Sequence, residues 1–252
     1  MGSSVDIPKC IHYCWFGEKP LPKLAKRCIA SWKKYCPDYE IIEWNEKNFD
    51  VNAVLYTQQA YYAKKYAFVS DYARFWILEK YGGIYMDTDV ELISSMDDIL
   101  QRGAYIGCEQ DADEGITLNP GLGIAAEPHN KMIKELLAGY QERKFIHSDG
   151  NLNLITIVQY TTETFKKYGL QELAEIQMVG DFTIYPREYF SPQHYRTGKL
   201  EITPKTHSIH YYSASWYTHY EKFADKMSHI LGEKWTKRIV RWKKAVKRRM
   251  GK

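Results

Sequence analysis

The sequence contains no long apolar run, and this absence argues against a membrane-spanning helix. No stretch approaches the roughly 18 consecutive apolar residues that a transmembrane helix needs. The N-terminal residues also lack the apolar centre of a secretory signal, and Asp6 stands where a myristoylation signal has Ser or Thr. We therefore expect neither a spanning helix nor a secretory signal.

Cysteine is also scarce, and its arrangement does not suggest a disulfide framework. The sequence has five cysteines, an odd number, and no Cys-x-x-Cys pair. Reduced thiols in a cytoplasmic protein are the simplest interpretation. The cysteines are Cys10, Cys14, Cys28, Cys36 and Cys108.

What the sequence does contain fits one globular domain. Its 252 residues include 44% hydrophobic residues, which is enough to bury a substantial core. Short β-branched or aromatic stretches, typical of strands, alternate with stretches of helical period, and this alternation predicts an α/β sheet. The predicted strands are 7–15, 39–44, 84–86, 105–108, 122–126 and 208–212, and the predicted helices are 22–35, 61–81, 129–141 and 154–168.

The motif Asp-Thr-Asp at residues 87–89 carries the strongest chemical signal. It follows a predicted helix, two glycines and a short apolar strand, so Asp87 stands at a strand end, where α/β sheets bind ligands. Two carboxylates one residue apart can hold a divalent cation that also binds phosphate and water. A metal site at Asp87 and Asp89 would neutralise the charge of a departing diphosphate. Such motifs also occur by chance in surface loops.

Three segments in order along the chain resemble glycosyltransferase family 32. The central one is Ser-Asp-Tyr-Ala-Arg at 70–74 followed by Tyr-Gly-Gly-Ile-Tyr-Met-Asp-Thr-Asp at 81–89. Residues 7–17 resemble the opening strand of these enzymes, and residues 210–216 resemble their closing motif. The central block is also similar to the catalytic domain of the large clostridial glucosylating toxins.

The resemblance implies a GT-A fold, a Rossmann-like nucleotide-sugar-binding α/β domain. It also implies a nucleotide diphosphate sugar as donor, Mn²⁺ or Mg²⁺ as cofactor and retention of anomeric configuration. We expect the catalytic domain to span residues 5–232. The expected enzyme transfers a hexosyl residue, from a UDP-sugar by analogy, to a glycan or lipid-linked oligosaccharide in polysaccharide biosynthesis, for example of a capsule.

The resemblance also assigns roles to residues on the donor side. Asp71 and Arg74 would hold donor-sugar hydroxyls, with Arg74 also near the diphosphate, and a spacing of three places both on one helical face. Asp89 is the first expected metal ligand, while Asp87 would act on the metal, partly through water, or on the ribose. Trp15 would stack on the nucleobase. The plain alternatives are a surface ion pair for Asp71 and Arg74, and a core indole for Trp15.

The closing motif and one loop supply the remaining candidates. His210 would complete the metal shell, and Ser215 and Trp216 would donate hydrogen bonds to phosphate oxygens. Asn119 would bind a sugar or transition-state oxygen, although Asn-Pro-Gly is also a common turn. No further carboxylate stands out as a nucleophile for double displacement. A same-face mechanism, in which the departing phosphate helps to deprotonate the acceptor, is therefore preferred.

The end of the chain has a different composition from the rest. Residues 234–252 contain ten Lys or Arg and no acid, which leaves 25 basic against 31 acidic residues elsewhere. The apolar residues recur at helical spacing, so 233–252 is predicted to be a basic amphipathic helix. An anionic membrane surface is the favoured partner, docking on the catalytic domain the next and nucleic acid the least favoured. The expected location is the cytoplasm, with peripheral association with the inner face of the membrane.

Two other functions compete with a polysaccharide transferase. One is a protein-modifying effector glucosyltransferase, although the chain is short and shows no delivery domain. The other is a non-catalytic protein that binds sugar nucleotides. The presence of Asp71, Arg74, Asp87 and Asp89 argues against the second alternative.

Overall fold

The computed structural model describes residues 6–110, 115–194 and 198–213. Within these ranges the chain alternates strands and helices, and it forms one compact unit as far as Tyr212. The helices are α1 (Lys23–Tyr35), α2 (Leu55–Tyr62), α3 (Tyr66–Tyr81), α4 (Asp97–Leu100), α5 (Lys131–Ala138), α6 (Ile157–Lys167) and α7 (Arg187–Phe190). The strands are β1 (Cys10–Cys14), β2 (Glu40–Trp44), β3 (Gly83–Tyr85), β4 (Val90–Leu92), β5 (Tyr105–Gln110), β6 (Thr117–Leu118), β7 (Ile124–Ala126), β8 (Gln177–Val179), β9 (Phe182–Tyr185) and β10 (Ser208–His210).

Most strands of the described residues belong to one mixed sheet. Its order is β2-β1-β3-β7-β5-β9-β8, and β6 pairs with β5. β1 runs parallel to both β2 and β3, whereas β7 is antiparallel to its neighbours β3 and β5. The predicted α/β class is therefore confirmed, and β2, β1 and β3 form the parallel run that a Rossmann-like domain requires.

The parallel strands β1 and β3 are largely buried because helices pack against the sheet. Ile11 and Ile84 are fully buried in the centre of the sheet, and α3 supplies Phe75 and Leu78 to the core. Near-continuous burial along a strand is expected where parallel strands are covered on both faces. The resulting rigid sheet fixes the ends of β1 and β3, where the candidate site lies.

The prediction of a single helix over 61–81 is wrong at its N-terminal part. The helical period continues through this region, but the backbone breaks between α2 and α3, where Lys64 has a φ of 57°. At the other end α3 stops as predicted. Gly82 has a φ of 64°, and a Cβ on it would lie 2.6 Å from Pro128, so glycine is required for the turn into β3.

The late strand over 208–212 exists as β10, but it does not join the main sheet. It pairs antiparallel with β4, placing His210 opposite Val90. The β4 strand is held in turn by α1, since the Trp32 indole N–H donates to the Val90 carbonyl at 2.8 Å and the Leu92 N–H donates to the Ser31 hydroxyl at 2.9 Å. This small ribbon places the end of the described chain beside the Asp-Thr-Asp motif.

Two predictions concern parts of the chain that the structure does not fully cover. The basic helix at 233–252 lies outside the described residues, and the domain limits of 5 and 232 remain predictions. Within the described ranges, no helix is both long and apolar enough to span a bilayer. All five cysteines fall in these ranges as thiols outside any disulfide, and four of them are buried.

Candidate functional site

The candidate site lies at the carboxyl ends of β1 and β3. Asp87 follows β3 by two residues, and Trp15 directly follows β1. The Met86 N–H donates to the His12 carbonyl at 3.1 Å, and the Asp87 N–H donates to the Gly121 carbonyl at 2.9 Å. These two bonds continue the sheet past its last paired residues, so the position of Asp87 is set by neighbouring strands on both sides.

Arg74 joins Asp71 and Asp87 into one cluster, as their predicted common role requires. Its Nη2 lies 3.1 Å from an Asp71 oxygen and 3.3 Å from an Asp87 oxygen. The Arg74 side chain is 4% exposed, so the surface ion pair considered from the sequence is excluded. Its Nη1 is buried and has no hydrogen-bond partner among the described residues. A buried guanidinium N–H without a partner is costly, and a ligand oxygen would satisfy it.

Tyr85, the last residue of β3, contacts both Asp87 and Arg74. Its hydroxyl donates to Asp87 at 3.1 Å, and its ring lies 4.6 Å from the Arg74 guanidinium carbon in a cation–π contact. Burial raises the pKa of Tyr85 well above its usual value, so the hydroxyl remains a donor. One ring therefore fixes both partners of the Arg74–Asp87 ion pair.

The two carboxylates in the cluster differ in their surroundings. Burial raises the pKa of Asp71 to about 7; the positive charge of Arg74 opposes this shift, and the nearby Asp87 adds to it. The pKa of Arg74 is raised, because its anionic neighbours, first among them Asp87, outweigh the effect of burial. Asp87 itself is about a third exposed, so it is the cluster carboxylate most open to a ligand.

Asp89 and His210 meet through the β4–β10 ribbon. The His210 Nε2 lies 3.4 Å from an Asp89 oxygen, and the Tyr211 N–H donates to the Asp89 carbonyl at 3.0 Å. Burial lowers the pKa of His210, but Asp89, with Glu109 and Asp87 behind it, outweighs burial and leaves the pKa above its usual value. The His210 Nδ1 is buried with no hydrogen-bond partner among the described residues.

The predicted metal ligands Asp87 and Asp89 have different partners in this structure. Asp87 faces Arg74, while Asp89 faces His210. Among the described residues no three His, Cys, Asp or Glu side chains form a group that could hold a metal. In this structure Asp87 and Asp89 are adjacent carboxylates, each with a cationic or imidazole partner, and a metal site formed by Asp87, Asp89 and His210 remains a prediction.

The donor set nevertheless fits a hard divalent cation. Among the described residues, the carboxyl groups of Asp71, Asp87, Asp89 and Glu109 lie close enough to influence one another, and Arg74 and His210 oppose their charge. Oxygen-rich sites of this kind hold Mg²⁺ or Mn²⁺ through one or two carboxylates, while water and substrate phosphates fill the other positions. Asp89 and Asp87 would hold such a cation, and His210, 3.4 Å from Asp89, remains the predicted third ligand.

Asn119 lies beneath the motif as part of the protein framework. Its side-chain oxygen accepts from the Gly121 N–H at 2.7 Å, and its side-chain nitrogen donates to Glu109 at 3.2 Å. Both ends of the amide are thus engaged within the protein, and the residue is buried. The structure supports the turn considered from the sequence, and direct contact of Asn119 with a sugar remains a prediction.

Trp15 is half-buried at the end of β1 and is not a fully buried core indole. Its N–H donates to the Lys19 carbonyl at 2.5 Å, which closes the loop after the strand. Stacking on a nucleobase remains a prediction that this position permits. The predicted donor-binding residues Ser215 and Trp216 lie outside the described residues.

Sequence reasoning missed Glu109 and the framework role of Gly121. Burial raises the pKa of Glu109, against the effects of His210 and the Asn119 hydrogen bond, while Asp87 and Asp89 raise it further. One signal was available, because Glu109 directly follows the strand predicted at 105–108 and so stands near a strand end. Its partner Asn119 is ten residues away, and that pairing depends on the path of the chain through β6.

Part of the chain that contains this site matches a known protein family. Residues 22–105 match the family model described as the glycosyltransferase sugar-binding region containing a DXD motif. The match includes Asp71, Arg74 and both aspartates of the 87–89 motif. The family resemblance predicted from the sequence is confirmed over residues 22–105, about a third of the chain.

Two particular relatives come from Schizosaccharomyces pombe. Inositol phosphoceramide mannosyltransferase 1 is 28% identical over 116 residues, which cover 42% of this chain and 35% of that protein. Inositol phosphoceramide mannosyltransferase 3 is 30% identical over 122 residues, which cover 46% and 33%. The matched region thus spans about a third of the length of these relatives.

Two solved structures are also similar in chain path. One is titled PaToxG Glycosyltransferase, with a TM-score of 0.48, 21% identity, and coverage of 64% of this chain and 69% of that chain. The other is a glycosyltransferase involved in glycosylation of the major capsid of PBCV-1, with a TM-score of 0.42, 11% identity, and coverage of 71% and 83%. Neither similarity is high enough to support an activity or a substrate.

Proposed function

We propose that the protein is a metal-dependent glycosyltransferase that moves a hexosyl residue from a nucleotide diphosphate sugar to a glycan or lipid-linked acceptor. The observation that carries this proposal is the cluster of Asp71, Arg74 and Asp87 at the end of β3, with Asp89 and His210 next to it. The cluster lies in the segment that matches the DXD-containing sugar-binding region.

The charges of the site support the need for a metal. A diphosphate is an anion, and among the described residues it would meet the carboxyl groups of Asp71, Asp87, Asp89 and Glu109. A divalent cation held by Asp89, with Asp87 directly or through water, would offset the negative charge of these carboxyl groups and stabilise the leaving diphosphate. Mn²⁺ and Mg²⁺ are the cations that such oxygen ligands suit.

The residues of the chain have separate tasks in this proposal. Arg74 uses Nη2 to hold both aspartates, which leaves the unpartnered Nη1 to donate to a sugar hydroxyl or a phosphate oxygen. Asp71 lies beside it as a hydrogen-bond acceptor for the donor sugar. Because the protein already fixes these groups, little reorganisation is required when the donor binds.

Retention through a same-face reaction remains the preferred stereochemical proposal. Double displacement needs a carboxylate nucleophile that can reach the anomeric carbon. The structure adds one carboxyl group to the site, Glu109, and that group is engaged by Asn119 beneath the motif. Detection of a covalent glycosyl-enzyme would contradict the same-face proposal.

A panel of nucleotide sugars identifies the donor. A uridine diphosphate sugar is favoured by the family resemblance, and the printed names of the two yeast relatives add mannose to the sugars to be tested. A panel containing UDP-glucose, UDP-galactose, UDP-N-acetylglucosamine and GDP-mannose covers both possibilities. Release of free nucleoside diphosphate in the presence of Mn²⁺ reports on all of them.

The decisive comparison in this assay is between two aspartate variants. Asp89→Ala is expected to lower turnover more than roughly 100-fold, because metal-ion stabilisation of transition-state charge amounts to several kcal/mol. Asp38→Ala, at an exposed turn before β2, is the control and should retain the wild-type rate. Full activity of Asp89→Ala, or activity that survives a chelator, would contradict the proposal.

A further inference from the structure

Glu109 contributes charge to the site, and it also ends a chain of contacts that reaches Asp87. The Asn119 side chain donates to Glu109 at 3.2 Å and accepts from the Gly121 N–H at 2.7 Å. The Gly121 carbonyl in turn accepts from the Asp87 N–H at 2.9 Å. Three consecutive hydrogen bonds therefore connect Glu109 with the first aspartate of the motif.

The backbone of Asn119 is fixed as well as its side chain. Its N–H donates to the Gly107 carbonyl at 3.1 Å, and its carbonyl accepts from the Leu122 N–H at 3.2 Å. The remaining freedom of the residue is the orientation of its side-chain amide. A carboxylate can only accept, so Glu109 selects the orientation in which the amide nitrogen faces β5 and the amide oxygen faces Gly121.

The position of Gly121 matters because it is packed against Asp87. A Cβ placed on Gly121 would lie 2.1 Å from an Asp87 carboxylate oxygen, so the Gly121 backbone forms the surface on which that carboxylate rests. A small displacement of Gly121 would move both the Asp87 amide and its side chain.

We infer that Glu109 is a positioning residue, which fixes the Asn119 amide and, through Gly121, holds the Asp87 carboxylate in place for the metal and the donor diphosphate. This inference rests on the proposed function. It requires Glu109 to act as a hydrogen-bond acceptor, and it assigns no bond making or bond breaking to its carboxylate. The role of Glu109 is therefore distinct from that of a nucleophile or a metal ligand.

Two substitutions of Glu109 separate its role as a hydrogen-bond acceptor from the effect of its charge. Glu109→Gln keeps an acceptor oxygen of the same reach and removes the charge, whereas Glu109→Ala removes both. We expect Glu109→Ala to weaken Mn²⁺ affinity in the presence of UDP by about tenfold, as loss of one buried hydrogen bond implies. Glu109→Gln should stay within about threefold of wild type. Electron paramagnetic resonance of free Mn²⁺ measures this affinity without turnover.

The chain offers a matched control at a second Glu–Asn pair. Asn130 donates to Glu127 at 2.9 Å, and its side-chain oxygen accepts from the N–H groups of Met132 and Ile133 at the start of α5. Glu127→Ala removes the same kind of bond at the opposite end of β7. It should leave Mn²⁺ affinity at the wild-type level.

Amide hydrogen exchange gives a readout that needs neither metal nor donor. Glu109→Ala should accelerate exchange at Gly121 and Asp87, whereas Glu109→Gln and Glu127→Ala should not. Wild-type exchange at both amides in Glu109→Ala would overturn the inference. Equal loss of Mn²⁺ affinity in Glu109→Gln and Glu109→Ala would also overturn it, because the charge would then be the functional property. If the wild type turns over no donor, the proposed function fails, while the exchange measurement still decides the role of Glu109.

Discussion

At the scale of single residues, Gly121 limits what can be placed beside the Asp-Thr-Asp motif. A methyl group on Gly121 would lie 2.1 Å from the Asp87 carboxylate, so either the loop or the carboxylate must move. We expect Gly121→Ala to fold and to lose roughly 100-fold in kcat, since misplacing a functional group by about 1 Å can cost this much. Steady-state kinetics with the best donor tests the prediction.

A second glycine separates this steric effect from general destabilisation. Gly103 has a φ of 85° and open space around it, so Gly103→Ala carries backbone strain but no clash. It should lower the free energy of unfolding by about 1 kcal/mol and leave kcat unchanged. A Gly121→Ala protein with wild-type kcat would show that the Asp87 position is not critical.

The raised pKa of Asp71 predicts that its contribution to the free energy of unfolding falls as the pH rises, opposite to the usual behaviour of a carboxylate. Its folded-state pKa is raised to about 7 by burial, above the ordinary value of 3.8, so the folded protein holds this proton more tightly than the unfolded chain. The resulting stabilisation is complete below pH 3.8 and is lost as the pH rises towards 7. The difference in unfolding free energy between wild type and Asp71→Asn should therefore fall over this range. Urea unfolding at a series of pH values measures it.

Asp97 provides the control of opposite sign. A hydrogen bond from Tyr39, with further bonds from Ser95 and Lys9, lowers the pKa of Asp97 below its ordinary value. The contribution of Asp97 to stability is lost as the pH falls. The difference in unfolding free energy between wild type and Asp97→Asn should therefore become smaller in acid. A difference for Asp71→Asn that is constant or rises between pH 4 and 7 would contradict the assignment of a raised pKa.

At the scale of secondary structure, the break between α2 and α3 is the element that sequence periodicity could not detect. Apolar residues continue at helical spacing across it, yet Lys64 takes a left-handed conformation with a φ of 57°. Such a conformation costs about 1 kcal/mol in a residue with a Cβ, and tertiary packing of the two helices outweighs this cost.

This break leads to a stability prediction. Lys64→Gly removes the Cβ penalty at an exposed position and should raise the free energy of unfolding by about 0.5 to 1 kcal/mol, after the larger entropy of the unfolded glycine chain is included. Lys26→Gly, within α1, should lower it by about 1 kcal/mol. Thermal unfolding of Lys64→Gly and Lys26→Gly tests these two predictions. A loss of stability in Lys64→Gly would show that the backbone between α2 and α3 is not strained.

The β4–β10 ribbon shows a different limit of sequence reasoning. β10 was predicted as a strand, but its partner β4 has only three residues, Val90–Leu92, which is too short to produce a recognisable alternation. The proximity of Asp89 and His210 was expected from family resemblance alone. The structure supplies the physical reason, which is the antiparallel register that places His210 opposite Val90.

At the scale of the whole molecule, the residues predicted correctly as one cluster are those close in sequence. Asp71 and Arg74 share a helical face, and Asp87 follows the next strand, so local patterns were sufficient to place them together. The Glu109–Asn119–Gly121 contacts depend on how β5, β6 and β7 pair, and no local pattern encodes that pairing. The region matched by the family model, residues 22–105, ends just before these framework residues.

The central claim is that Asp89 and a divalent cation together create the binding site for a nucleoside diphosphate. Isothermal titration calorimetry of UDP, repeated with GDP, in the presence of Mn²⁺ and then of a chelator tests it most directly. We predict binding by the wild type only with Mn²⁺, and loss of that binding in Asp89→Asn while Asp38→Asn binds normally. Nucleotide binding that is equal with and without metal, or unchanged in Asp89→Asn, would contradict the account.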